Sequence, residues 1–365
     1  MELHKVIAEV DLRALSHNLR VVKNKTGGRD IMAVVKANAY GHGALEISRH
    51  LIQKGISKLG VAFTGEAIAL RESGINIPIT VFFDRDNIDE CIRYKLTPTV
   101  FALSSARKID AKARKLNKKI PVHIKVDTGM GRIGLTLDSA LKEIAAIASL
   151  KNIAPEGIMS HFSDADLKDK KFAKLQLRKF RELITSLEEK NITFRHHHMA
   201  NSAAVLSMPE AHFDMVRPGI MLYGYGYHGV RGLKPVLSVK SNILLLKTVP
   251  KGTPISYGRT FITKRRSTIA TIPLGYADGY SRKLSNKGEV LIKGGRTPVV
   301  GRVCMDTIMV DVTDIPDVSY KSKAVIIGSQ GKEKITAEEI ADKTGTIPYE
   351  VLTAIGQRIK RVYKT

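Results

Sequence analysis

A chain of 365 residues is long enough for one large domain or two unequal ones, and its 43% apolar and 26% charged content is that of an ordinary soluble globular protein. Two cysteines, Cys91 and Cys304, exclude a disulfide framework and a multi-cysteine zinc site, and they fit a reducing, cytoplasmic setting. The net charge of +24 comes from lysines and arginines spread over segments of helical periodicity. Without aromatic interleaving they read as solvated surface, so no nucleic-acid partner is expected.

The opening "MELHKVIAEVDLRALSHNL" has scattered acidic residues and no apolar core of signal-peptide type. No stretch approaches the ~18 apolar residues of a membrane span, so no membrane partner is expected either. From residue 31 onward, short β-rich runs recur: "IMAVV" (31–35), "KLGVAF" (58–63), "IPITVFF" (77–83) and "TPTVFA" (97–102). They continue with "IPVHIKVD" (120–127), "EGIMSHF" (156–162), "FRHHHMAN" (194–201) and "MVRPGIMLYG" (215–224). Amphipathic helical segments such as "GALEISRHLIQKG" and "DSALKEIAAIASLKN" lie between most of them. Strands alternating with helices imply parallel βα units, and about eight of them match a (β/α)8 TIM-type barrel over residues 1–230.

Beyond residue 230 the texture changes. "LSVKSNILLLKTV", "STIATIPL", "GEVLIKGGRTPVVGRV" and "TIMVDVTDI" are strands with Gly-rich turns, and "TAEEIADKTG" is a late helix. This predicts a smaller, mainly antiparallel β domain over 231–365, joined through "HGVRGLKP" near residues 228–236.

Functional groups of such a barrel gather where strands end. Lys36 follows the first run, Lys125 and Asp127 end the fifth, His161 ends the sixth, Asn201 and Ser202 follow the seventh, and Arg217 lies on the eighth. A lysine at the end of a buried strand is a natural Schiff-base residue, because desolvation favours the neutral, nucleophilic amine. The expected aldehyde is pyridoxal 5'-phosphate. Its phosphate needs hydroxyls and backbone amides, which "NSAA" (201–204) and "RPGI" (217–220) supply through Ser202, Gly219 and Ile220, with Tyr40 in reach of the lysine loop. No phosphate-loop or dinucleotide fingerprint is present.

These stretches closely resemble the alanine racemases, bacterial pyridoxal-phosphate enzymes that interconvert L- and D-alanine. The resemblance runs nearly end to end. It rests on "AVVKANAYGHG" (33–43), "HIKVDTGMGRIG" (123–134), "SHF" (160–162), "ANSAA" (200–204) and "VRPGI" (216–220). It continues through "ISYGRTF" (255–261), "IPLGYADGY" (272–280), "GRVCMD" (301–306) and "PYEVL" (348–352).

The resemblance implies that Lys36 holds the cofactor and serves as one catalytic base, with Tyr257 as the other on the opposite face of the substrate. A free phenol has a pKa of about 10, and the family places His161 and Arg132 near that tyrosine to help it ionise. Arg217 is implied to face the pyridine nitrogen with His198 near the ring, and Tyr40, Ser202, Gly219, Ile220 and Tyr349 to bind the phosphate. Arg132 and the Met305 amide would take the substrate carboxylate, while Asp306 and Tyr276 line the entrance. Lys125 matches a position often carbamylated in the family, the plainer reading being a lysine paired with Asp127. Tyr257 and Met305 are implied to reach the site from the partner subunit of a homodimer with shared active sites. D-Alanine for peptidoglycan is the implied product.

Thr307 departs from the glutamine that commonly follows "CMD". Cys304 reads as structural, and "RHHH" as no metal site, because adjacent strand residues face opposite ways. Three rivals remain: a racemase of serine or lysine, a barrel-type decarboxylase of ornithine or diaminopimelate, and a pyridoxal-phosphate carrier. The decarboxylases place an acid where Arg217 stands, and a carrier would lack the second domain and Tyr257.

Overall fold

The computed structural model describes residues 6–226 and 230–365. His228 and Gly229, at the start of the expected linker, lie outside the described residues. Two compact units emerge, and their boundary does not follow the chain. One contains Leu15–Ala39 and Ala44–Lys234; the other contains the chain up to Ala14, the short segment Tyr40–Gly43 and Pro235–Thr365.

The first unit is the barrel. Its strands are Asp30–Val34, Lys58–Val61, Ile79–Val81, Thr97–Val100, Ile120–Asp127, Ile153–Met159, His196–His198 and Met215–Val216. The first seven pair in parallel in that order, and Met215–Val216 pairs in parallel with Asp30–Val34. The last gap is bridged by backbone bonds from Asp214 N to His197 O (3.3 Å) and from Arg217 N to Ala200 O (2.9 Å). These strands are runs of buried β-branched and apolar residues because both faces are covered, as parallel sheets require. The helices bury one stripe each: Lys171–Glu188 turns Ala173, Gln176, Leu177, Phe180, Leu183 and Leu187 inward at helical spacing.

The observed strands are shorter than the apolar runs suggest. The first ends at Val34, the sixth at Met159 and the eighth at Val216. Lys36, His161 and Arg217 therefore sit one or two residues past their strands, in the loops, where a charged group no longer interrupts a ladder.

The second unit is mainly antiparallel. Its larger sheet runs in the order Gly295–Pro298, Glu289–Ile292, Lys323–Gln330, Leu237–Asn242, Val6–Asp11 and Lys360–Lys364. Val6–Asp11 thus joins the sheet of the C-terminal half, antiparallel to Leu237–Asn242 and parallel to Lys360–Lys364. A second sheet pairs Leu245–Val249, Ser267–Ile272 and Ile308–Asp311. The short hairpin Pro254–Ile255/Phe261–Ile262 carries Tyr257 in its turn. Helix Ala337–Thr344 forms where "TAEEIADKTG" predicts it: Thr336 accepts the Glu339 amide and Gly345 closes the end at φ 68°.

Candidate active site

In the barrel unit, the chain leaves its first strand into an unusual turn. Ala37, Asn38, Ala39 and Tyr40 all adopt φ of 51–53°, a left-handed turn that costs non-glycine residues roughly 1–2 kcal/mol each. The turn is held by side chains that accept its amides. Glu66 Oε1 accepts from Ala37 N (2.5 Å), while Glu66 Oε2 accepts from Ala62 N (2.7 Å) and Phe63 N (3.2 Å). Asn38 Oδ1 accepts from Ala44 N (2.8 Å), and Ala39 N donates to Val35 O (2.8 Å). Neither Glu66 nor its role was signalled by sequence, because its partner lies 29 residues away, on the other side of the strand Lys58–Val61.

The turn aims Lys36 along the face of Phe83, with Nζ 5.5 Å from the ring centroid; the Arg132 guanidinium lies 5.0 Å from the same ring. Burial first, then Arg132, holds the Lys36 amine below its ordinary pKa, against an opposing pull from Glu66. Arg132 rides on a loop whose shape comes from Asp127: one carboxylate oxygen accepts amides of Gly129 (2.9 Å), Met130 (2.8 Å) and Gly131 (3.2 Å). Burial pushes the Asp127 carboxyl up, but these amides outweigh it.

Asp127 is occupied there and forms no ion pair with Lys125, which corrects the plainer reading of that lysine. Lys125 is buried and its Nζ has no hydrogen-bond partner. Its pKa is well below the ordinary value, through burial and then Arg217 and Arg132.

Arg217 is buried and, among the described residues, has no carboxylate partner. Nη1 donates to His198 Nδ1 (2.7 Å) and His198 O (2.8 Å). Nη2 donates to Ser160 O (2.7 Å), Met199 O (3.3 Å) and His161 Nδ1 (3.3 Å). Burial and then Arg132 lower its pKa to about 9, which still leaves it cationic near neutrality. His161 is held well below its usual pKa by burial and by Arg217, Lys125, Arg132 and Lys36, so all five groups share one neighbourhood. Gln176 fixes the His161 loop by donating to His161 O (3.1 Å) and accepting from Ser163 N (3.0 Å).

Ser202 Oγ accepts amides from Gly219 (2.9 Å) and Met221 (3.3 Å), while Asn201 caps the following turn through Ala204 N (3.0 Å). Ser202, Gly219 and Ile220 are thus brought together, as the sequence suggests. In "RHHH", His196 and His198 face the barrel interior, with His198 Nε2 2.8 Å from His123 Nδ1. His197 faces away and bonds Asp214 (2.7 Å). Among the described residues, no group of three metal-binding side chains converges.

The second unit holds the other expected residues. The rings of Tyr40 and Tyr349 meet at a tilt of 50°, with centroids 5.9 Å apart. Arg361, which no motif marks, donates to Gly41 O (3.1 Å), Gly356 O (2.7 Å), Ile359 O (2.8 Å) and Ile355 O (2.7 Å). Gly41, at φ 83°, admits this packing because a Cβ there would stand 2.2 Å from Leu352 O.

Tyr257 is 69% exposed. Its turn is tied down by Ser256 Oγ, which donates to Arg302 O (2.6 Å). Cys304 O accepts the Tyr276 amide (3.0 Å), and Met305 O accepts that of Ala277 (3.0 Å), so the "CMD" and "GYADGY" loops are stitched together. Met305 and Tyr276 remain exposed, and Asp306 accepts from Arg358 (2.7 Å), which also grips Asp278.

Comparison with known proteins agrees with this architecture. Residues 10–226 match the family model "Alanine racemase, N-terminal domain", and residues 236–363 match "Alanine racemase, C-terminal domain". The alanine racemase of Thermodesulfovibrio yellowstonii is 47% identical, covering 98% of this chain and 97% of that protein. The crystal structure of alanine racemase from D-cycloserine-producing Streptomyces lavendulae is 34% identical with a TM-score of 0.94, covering 100% of this chain and 98% of that one. The Bartonella henselae alanine racemase, solved with covalently bound pyridoxal phosphate, is 33% identical with a TM-score of 0.89, covering 99% of each chain.

Proposed function

The chain belongs to the alanine racemase family, and on that premise we propose that it interconverts L- and D-alanine with two bases, Lys36 and Tyr257, on opposite faces of the substrate. The family cofactor, pyridoxal 5'-phosphate, when bound supplies the electron sink that acidifies the α-proton.

The residues present fit that cofactor. Lys36, Lys125, Arg132 and Arg217 crowd one neighbourhood, which calls for a ligand carrying phosphate and carboxylate charge. The observation that carries the reading is this convergence of cations: Lys36 and Arg132 lie over the one Phe83 ring, and Arg217 Nη2 lies 3.3 Å from His161 Nδ1.

Lys36 would hold the cofactor, and its depressed amine is suited to take and return a proton at Nζ. Tyr257 Oη handles the proton on the other face, and His161 lies among the charged groups that tune the site. Ser202, Gly219, Ile220, Tyr40 and Tyr349 bind the phosphate. Arg217, braced by His198, faces the ring nitrogen as a permanent donor and gives it no proton. An acid is what a barrel decarboxylase would need at that place. Arg132 and the Met305 amide take the substrate carboxylate, with Asp306 and Tyr276 at the entrance.

Lys125, whose amine is held well below its ordinary pKa by burial and has no hydrogen-bond partner, is suited to carbamylation: the unprotonated nitrogen attacks carbon dioxide, one N–H proton leaves to solvent, and the new anion would lie near Arg217 and Arg132. The barrel, expected over residues 1–230 and built from Leu15–Ala39 and Ala44–Lys234, would bind the cofactor, and residues 231–365 would contribute to the partner subunit's site. Exposed Tyr257, Met305 and Tyr276 support a homodimer in which a second copy covers them. Two free thiols support a cytoplasmic enzyme supplying D-alanine for peptidoglycan. No helix among the described residues is long and apolar enough to cross a membrane.

The test is α-carbon deuterium exchange. Purified enzyme in deuterated water should exchange the α-proton of either alanine enantiomer, and faster than that of serine or lysine. Exchange confined to one enantiomer, or carbon dioxide release, would reject the reading.

A further inference from the structure

We propose that the end of the barrel where its strands begin, opposite the end bearing Lys36 and Arg217, is a docking face for a bilayer rich in anionic lipid. This goes beyond the racemase reading and does not depend on it.

The argument starts from topology. In a closed parallel barrel, every connection from a helix into the next strand lies at the same end. Five of the first six such connections carry Arg29, Lys54, Lys95, Lys118 with Lys119, and Lys151, and all six connections together contain no acidic residue. Each of these six cations is exposed, and among the described residues none forms an ion pair. The preceding helices end in further cations, Lys25 on the first and Arg114 and Lys115 on Leu103–Lys115. The seventh connection adds Lys190 and Arg195 against Glu189, while the eighth holds Glu210 and Asp214.

At the opposite end the balance differs. The connections 82–87 and 160–170 carry five aspartates, at 84, 86, 164, 166 and 169, against Arg85, Lys168 and Lys170. Those two connections are net negative, and the cations on the other connections of that end, Lys36, Arg132 and Arg217, belong to the site already described, so the exposed positive charge outside that site lies mainly on the face where the strands begin. Along the sequence these lysines look evenly scattered, and only barrel closure assembles them.

A ring of cations on separate loops, whose aromatic neighbours Tyr94, Phe194 and Phe213 are at most half-exposed and so offer no open stacking platform, suits a planar array of phosphates better than a nucleic acid. Leu116, 53% exposed between Lys115 and Lys118, offers an apolar side chain to the interfacial region.

The test is sedimentation of the intact enzyme with phosphatidylcholine vesicles with and without phosphatidylglycerol, in competition with a DNA duplex. Binding should require phosphatidylglycerol and weaken with salt. The triple variant Lys115→Gln, Lys118→Gln, Lys119→Gln should bind on the order of a hundredfold more weakly. A charge-matched triple in the other unit, Lys321→Gln, Lys332→Gln, Lys334→Gln, should bind like wild type, and both triples should racemise alanine normally. Absence of binding to anionic vesicles overturns the proposal. So does equal weakening by the two triples, which would reduce it to net charge, or tighter binding to the duplex, which would make the partner a nucleic acid.

Discussion

Arg217 donates to His198 Nδ1 across 2.7 Å, and because arginine only donates, this contact requires His198 to be neutral with its proton on Nε2. That proton then points at His123 Nδ1, 2.8 Å away, so His123 must also be neutral. Burial first, then neighbouring charge, pushes His123 down to about 3 and His198 well below its ordinary value. The unfolded chain protonates both near pH 6.5, so it binds more protons than the folded one below that value. Stability should be fully present above about pH 6.5 and fall as pH drops toward the folded values, by roughly 1.4 kcal/mol per pH unit for each group. Urea unfolding across that range measures it. His123→Asn, which keeps an acceptor but cannot titrate, should flatten the slope by about one proton; an unchanged slope would refute the assignment.

Arg361 ties the segment just after the lysine turn to the C-terminal strand region through four carbonyls. Arg361→Met strands them and should lower stability by about 3 kcal/mol or more in urea unfolding, with Arg361→Lys partly recovering it. A loss of under about 1 kcal/mol would show that water replaces the guanidinium without penalty.

Ser202 gathers two amides around one hydroxyl. Titration of the apoprotein should show Ser202→Ala binding pyridoxal phosphate about tenfold more weakly. Pyridoxal without its phosphate should bind both proteins alike. If both ligands weaken together, Ser202 shapes the loop and does not bind phosphate.

Lys125 leads to a bicarbonate-dependent stability. An anion formed on its nitrogen would sit among Arg217 and Arg132, so bicarbonate should raise the Tm of the wild type. Lys125→Met should be more stable than wild type in carbon dioxide-free buffer and indifferent to bicarbonate. An equal bicarbonate shift in both proteins would exclude Lys125 as the target.

What could be read from sequence depended on how local the determinant was. "IPVHIKVD" forms a strand over the full run because Ile120–Asp127 is paired on both sides. "LSVKSNILLLKTV" reads as one strand and is two, Leu237–Asn242 and Leu245–Val249, because the chain changes sheets between them with no Gly or Pro to mark it. Lys36 stood out as a charge closing an apolar run. The left-handed turn after it did not, since alanines carry no signal for positive φ and the stabilising carboxylate of Glu66 comes from another βα unit. Val6–Asp11 was equally hidden, its partners lying more than 200 residues away.

The central claim, that an amine and a phenol from two subunits complete one site, is tested most directly by mixing two inactive variants. Lys36→Ala and Tyr257→Phe should each lose racemisation of alanine in both directions as homodimers. After subunit exchange, each heterodimer should hold one intact site of its two, and activity should return in proportion to the heterodimer formed. Heterodimers that form, as shown by tagged-subunit capture, yet stay inactive would contradict it.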